Sequence, residues 1–382
     1  MMSSTTLTAM CTAAAFALTA GGAAAADVVG PLKRLDDTGM AACVVDGAFA
    51  RACAGTGQDG EYGRDARGHS SGNGRAGFSF VRVCGSGEEE GSGTCPAHPA
   101  VGTGPDQWAC TRDLVTGLLW EIKQADGSLR DQDTLISMQN WGWGFPTVTE
   151  LRTLMNGAAV CGSTRWDAPT LTELLSLVDY ARAGQTKIDL HYFPNTPTRH
   201  GYGVPYPRQA PDEGNYVGVN FITGTGDGGY PGDGSSVRLV TRPGQTAAAR
   251  YADGVDPADV VDRWTRLEWQ RCPLGMAWTP AACTGTPAPL TWPEALAAAN
   301  DHPGWRLPNV KELASLTTLD DGLLDAGAFV GNRTGAFWSS TPFVGDAAQA
   351  WHVEFADGYA MSWYPLPAER RFIVLLVRDA AK

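Results

Sequence analysis

One twelve-residue phrase occurs twice in this chain, as Trp166-Asp167-Ala168-Pro169-Thr170-Leu171-Thr172-Glu173-Leu174-Leu175-Ser176-Leu177 and as Trp305-Arg306-Leu307-Pro308-Asn309-Val310-Lys311-Glu312-Leu313-Ala314-Ser315-Leu316. Trp, Pro, the Glu-Leu pair, Ser and Leu keep identical spacing. One domain type is therefore present twice, and neither copy should be read alone. A length of 382 residues is ample for two such domains plus an N-terminal piece.

Each copy opens on a turn that feeds a strand ending in Trp: Asp113-Leu114-Val115-Thr116-Gly117-Leu118-Leu119-Trp120, then Asp262-Arg263-Trp264-Thr265-Arg266-Leu267-Glu268-Trp269. A helix is expected to begin at Pro169 and at Pro308, near the first helical position, where a missing amide costs nothing. Leu171, Leu174, Leu175 and Val178 keep helical spacing, as do Val310, Leu313 and Leu316. Glu173 and Glu312 fall in the first turn. There they read as caps, with catalysis as the alternative. The preceding tryptophans read as core anchors. Thr147–Asn156 and Trp292–Ala299, the latter capped by Thr291, read as earlier helices.

Strands are expected at Phe78–Val83, Tyr216–Phe221, Val237–Val240, Ala350–Phe355 and Phe372–Arg378, the last as a central, fully buried strand. Short helices followed by antiparallel strands make an α+β domain. The expected order is a signal peptide (1–26), a Cys/Gly-rich N-terminal cap (27–107), the first copy (108–242), a linker (243–254) and the second copy (255–382).

The signal peptide rests on the apolar run Leu7–Ala20 and the small residues Ala24-Ala25-Ala26 before Asp27. Its n-region has no Lys or Arg, and a buried helix is the alternative. No other apolar run is long enough to span a bilayer. Setting aside Cys11 leaves Cys43, Cys53, Cys84, Cys95, Cys110, Cys161, Cys272 and Cys283. An exported chain with paired cysteines implies disulfides. The close pairs are 43 with 53, 84 with 95, and 272 with 283; 110 and 161 remain for each other. No CxxC occurs and the six histidines are scattered, so metal binding is the weaker reading.

These motifs resemble the Lcl C-terminal domain family, named for a collagen-like bacterial adhesin. The resemblance rests on a TGLxWQ-type opening, a WRLPTxxEL core, a YWSST segment and a VRLVR ending. The second copy matches more closely, through Leu267-Glu268-Trp269-Gln270, Trp305-Arg306-Leu307-Pro308 and Phe337-Trp338-Ser339-Ser340-Thr341. Tyr62-Gly63-Arg64-Asp65-Ala66 is similar to the leader of such domains. The Arg-Leu-Pro-Asn-x-x-Glu-Leu core is also similar to a segment of formylglycine-generating enzymes, which implies tandem C-type-lectin-like domains. That family's copper-binding cysteine pair has no counterpart here. The copies also depart from each other: Gly117 is replaced by Arg266, Asp167 stands where Arg306 does, and each ending has lost a different Arg. This points to structural use of the arginines and a repurposed first copy.

The expected function is non-enzymatic binding of a glycan or surface protein through loop aromatics: Trp351, His352, Tyr359, Met361, Trp363 and Tyr364 in the second copy, with Tyr202 and Tyr206 in the first. Core packing is the alternative for most of them. The family's adhesin precedent implies sulfated polysaccharides, against which a net charge of -12 argues. The same acidity argues against nucleic acid. No cofactor is expected. Asp227 and Asp233, in a glycine-rich stretch, are candidates for calcium, with a flexible turn as the alternative. Ser339, Ser340 and His352 would be the raw material of a nucleophile and base, but no Gly-x-Ser-x-Gly elbow accompanies them. An enzyme or maturation factor related to formylglycine-generating enzymes, and a structural envelope module, are the rival functions.

Overall fold

The aspartate of each opening turn accepts backbone amides two and three residues on, which closes the turn. Asp113 Oδ1 accepts from Val115 (2.8 Å) and Thr116 (3.2 Å), and Asp262 Oδ1 from Trp264 (2.9 Å) and Thr265 (3.4 Å). Both turns then need a left-handed residue. Gly117 supplies it at φ 81°, and Arg266 adopts it at φ 60°. The computed structural model describes residues 35–63, 76–138, 144–184, 186–197, 202–204, 216–229, 234–242, 249–317, 323–331, 333–355 and 362–381. The signal peptide, Cys11, Arg64, Asp65 and Ala66 lie outside them.

Each turn joins the middle strands of a four-stranded antiparallel sheet. In the first copy the order is Phe80–Cys84, Trp108–Asp113, Leu119–Glu121, Val240–Thr241. In the second it is Tyr251–Asp253, Asp259–Asp262, Leu267–Gln270, Val377–Asp379. Residues 80–84, within the expected cap, pair as the outer strand of the first copy's sheet, and residues 251–253, within the expected linker, pair as that of the second. The segment ending at Arg378 is buried from Val374 to Val377, yet regular pairing is confined to its last residues at the sheet edge. Upstream it makes single bridges to Leu290 and Phe337, so it is not a central strand.

The helices are α1 (Val148–Gly157), α2 (Leu171–Ser176), α3 (Trp292–Asn300) and α4 (Val310–Ala314). Thr170 and Asn309 are the N-caps of α2 and α4, so Pro169 and Pro308 precede the cap rather than sit at the first helical position. Glu173 and Glu312 complete capping boxes. A three-stranded antiparallel sheet then closes each copy: Tyr202–Val204, Tyr216–Val219 and Gly226–Gly229, or Gly335–Pro342, Gln349–Phe355 and Ser362–Pro367. The architecture is α+β with antiparallel sheets and few helices.

Four disulfides join Cys43 to Cys53, Cys84 to Cys95, Cys110 to Cys161 and Cys272 to Cys283. No helix among the described residues is long and apolar enough to cross a membrane.

The copies share one core. Leu174 and Leu175 of α2, Leu313 of α4, Trp120, Trp269, Trp351 and Trp363 belong to a single buried cluster. Lys311 joins three parts of the chain at this seam. It is buried, and its Nζ donates to the carbonyls of Asp37 (2.7 Å) and Ser176 (2.8 Å). The N-terminal segment is latched by Asp59, whose Oδ2 accepts from Thr38 (2.8 Å) and, across to the second copy, from Thr341 (2.6 Å).

Candidate functional site

Of the aromatics expected to face a ligand, Trp351 and Trp363 face the other copy, and His352 and Tyr202 are buried within their own. Trp363 is fully buried, and its indole N–H donates to the Gly224 carbonyl at 2.7 Å. A Cβ on Gly226 would lie 2.8 Å from its ring, so glycine at 226 is what lets the strand close on the indole. Trp351 meets Tyr180 edge-on, with ring centroids 4.8 Å apart. Tyr202 is buried beneath Arg238, which donates to its hydroxyl at 3.2 Å. His352 is buried against Phe372 and Tyr364 and holds the Tyr364 carbonyl through Nδ1 at 2.7 Å. Burial pushes its imidazole down to about 4. The expected binding surface is thus corrected. Trp351, Trp363, His352 and Tyr202 are core, because the strand face that alternation turns outward is covered by another element. Tyr364 is partly exposed. Tyr206, Tyr359 and Met361 lie outside the described residues.

Asp227 lies in the strand Gly226–Gly229, and Asp233 is outside the described residues. Among the described residues, no three His, Cys, Asp or Glu side chains are placed to hold a metal ion. Ser339 Oγ donates to the Trp351 carbonyl (2.7 Å), so neither Ser339 nor His352 is directed at the other.

The second copy instead carries an open cleft of about 510 Å³, lined by Val255, Asp256, Asp259, Gln270, Met276, Trp278, His302, Trp305 and Arg378. The sheet supplies Asp259, Gln270 and Arg378. The hairpin of Met276–Trp278 with Cys283–Gly285, tied at its base by Cys272–Cys283, supplies one wall. His302 and Trp305 follow the end of α3. Each tryptophan is backed by a guanidinium: Arg378 lies 4.2 Å from the Trp305 ring centroid and Arg271 5.1 Å from that of Trp278. Arg378 also donates to Glu268 (2.8 Å) and Asp259 (3.2 Å). Burial raises the Asp259 carboxyl to about 6, against the lowering influence of Arg378.

The equivalent place in the first copy is sealed. Cys110 faces Glu121 across the ladder as Asp259 faces Gln270, and Cys110 is tied to Cys161. Trp166 is 1% exposed with its indole N–H on the Val160 carbonyl (3.0 Å), whereas Trp305 is only half-buried. Val240 bridges Asp167 as Val377 bridges Arg306, so Thr241 stands in the place of Arg378. Glu121, which replaces Gln270, is buried 3.5 Å from both Lys123 and Arg130. The reading of both motif tryptophans as core anchors therefore holds fully for Trp166 and in part for Trp305, which packs against the second copy's core and also lines the cleft. Two sequence signals mark the difference: Arg378 against Thr241, and a Trp-bearing cysteine hairpin found in the second copy.

A family model described as the Lcl C-terminal domain matches residues 109–241 and 258–378. No curated protein matches the chain.

Proposed function

This chain belongs to the Lcl C-terminal domain family in two copies, and from that premise we propose that it is an exported, non-enzymatic binding protein that takes a glycan or surface-protein ligand in the cleft of its second copy. Four disulfides support export, since they persist in oxidising compartments. The C-type-lectin-like character of each copy is part of this reading. Its support is the side-by-side pairing of early and final strands in each four-stranded sheet, with short helices between.

The observation that carries the proposal is the contrast between the copies. One fold position is closed by a disulfide and a buried indole, while its partner is open and lined by half-buried tryptophans. Concave sites with aromatic walls and a few convergent polar groups are the usual form of ligand sites.

The test uses the mature chain from Asp27, screened against a glycan array and against cell surfaces, with calcium and with chelator. Met276→Arg, which projects a long cation from the hairpin into the cleft, should abolish binding with the unfolding midpoint unchanged. Undiminished binding by the variant would place the ligand elsewhere. Loss of binding in chelator would direct attention to calcium at Asp227 and Asp233.

A further inference from the structure

Resting on the cleft reading above, we infer that the occupant is an uncharged saccharide chain, not the sulfated polysaccharide that the family resemblance suggests.

The first argument is the state of the cleft's cations. A sulfate or carboxylate is held most strongly by a guanidinium or ammonium whose charge is not already paired. Arg378 lines the cleft with its charge already balanced: Nε is on Glu268 and Nη2 on Asp259, and its plane is stacked on Trp305. Arg271, behind Trp278, is buried and donates to the carbonyls of Pro257 (3.0 Å) and Ala328 (3.1 Å) and to the Asp253 carboxylate. Two carboxylates, Asp256 and Asp259, line the cleft beside them. A polyanion would meet like charge and would have to displace existing pairs.

The second argument is which groups remain without protein partners. The indole N–H groups of Trp278 and Trp305 and the side-chain amide of Gln270 make no hydrogen bond within the protein among the described residues. His302 engages the Ala298 carbonyl through Nδ1 (2.7 Å), leaving Nε2 toward other partners. Asp256 Oδ1 accepts the Ala258 amide (2.9 Å), leaving Oδ2. These are neutral donors and acceptors plus one exposed carboxylate, the set that matches vicinal hydroxyls, which donate and accept at once. The indole rings supply flat apolar surface for the C–H face of a pyranose.

The test is a glycan array holding neutral, sialylated and sulfated oligosaccharides, probed with the mature chain and with Gln270→Ala and Trp278→Ala. Trp278→Phe is the fallback if the alanine variant misfolds. Binding to neutral glycans is expected, changing less than about twofold as salt rises from roughly 0.05 to 0.5 M, because no ion pair forms. Each cleft variant should weaken it by about tenfold or more. Preference for sulfated chains, lost in the same variants, would overturn the saccharide class and leave the cleft standing. Binding of any class that ignores the variants would overturn the cleft itself. A folded chain with no neutral ligand on the array would also overturn the inference.

Discussion

Arg242 Nε lies 2.6 Å from Oε1 of Glu173, the residue that closes the capping box of α2. In the second copy the same Glu, Glu312, is held by Arg306 in two bonds of 2.7 Å. The two arginines come from different places. Arg306 directly follows the motif Trp, where the first copy has Asp167; Arg242 follows the last strand, where the second copy has Asp379. The charge pair has exchanged sides: Arg242 is 3.9 Å from Asp167 and Arg306 is 3.7 Å from Asp379. The guanidinium that holds this Glu, absent from the first copy's motif, is supplied there from the end of its last strand.

This exchange should be reversible by mutation. Arg242→Asp alone leaves Glu173, which is 1% exposed, without its cation and should cost about 3 kcal/mol or more. Asp167→Arg added to it grafts the second copy's arrangement onto the first and should recover more than half of that loss. Urea unfolding of the two single variants and the double variant measures the coupling. Simple additivity would refute the equivalence.

Arg266 holds a left-handed backbone at φ 60° where its counterpart is glycine. Relief of the Cβ clash is worth roughly 1–2 kcal/mol, less the extra freedom glycine gives the unfolded chain, of order 0.5–1 kcal/mol. Arg266→Gly should therefore stabilise by about 0.5–1 kcal/mol, seen as a higher unfolding midpoint. A lower midpoint would show that the arginine side chain contributes something else.

Of the four disulfides, Cys110–Cys161 closes the longest loop, with a sequence separation of 51 against 10 or 11 for the others. On chain entropy its loss should cost about 4 kcal/mol, against about 3 kcal/mol for a short loop. Paired serine variants compared by denaturant unfolding should show Cys110/Cys161 as the most damaging, the more so because it also seals the first copy beside Trp166. Equal losses would count against this ranking.

Asp59 gives the N-terminal latch a pH dependence. Burial, then the neighbouring Asp37, pushes its carboxyl from 3.8 up to about 8. The folded chain thus keeps a proton that the unfolded chain releases near pH 4. The contribution is full below that value and is lost as pH rises through about 8. Asp59→Asn should exceed wild type in stability by at least about 1 kcal/mol near pH 9 and lose that advantage toward pH 4. Unfolding curves of both proteins across this range test it. A difference independent of pH would mean that Asp59 is not the titrating group.

Local chemistry was legible in the sequence; what covers each face was not. The repeated phrase, the three short cysteine pairs and Thr291 as a helix cap each depend on residues near in the chain, and Cys110–Cys161 followed by elimination. The error at Trp351 and Trp363 has a definite cause. Period-two alternation reports which side chains share a strand face, but not whether that face meets water or, as here, Tyr180 and the Gly224–Gly226 backbone. The cleft was invisible for the same reason, because Asp256, Gln270, Trp278, His302 and Arg378 meet only once the sheet, the cysteine hairpin and the end of α3 are assembled.

The indole of Trp363 bound to the carbonyl of Gly224 makes the two copies depend on each other. With no side chain at Gly226, one copy's strand admits the other copy's ring, and the two copies are not a string of interchangeable beads. Deleting either half would strip a wall from the core of the survivor. The first copy, its equivalent pocket closed by a disulfide, still serves as the scaffold of the second.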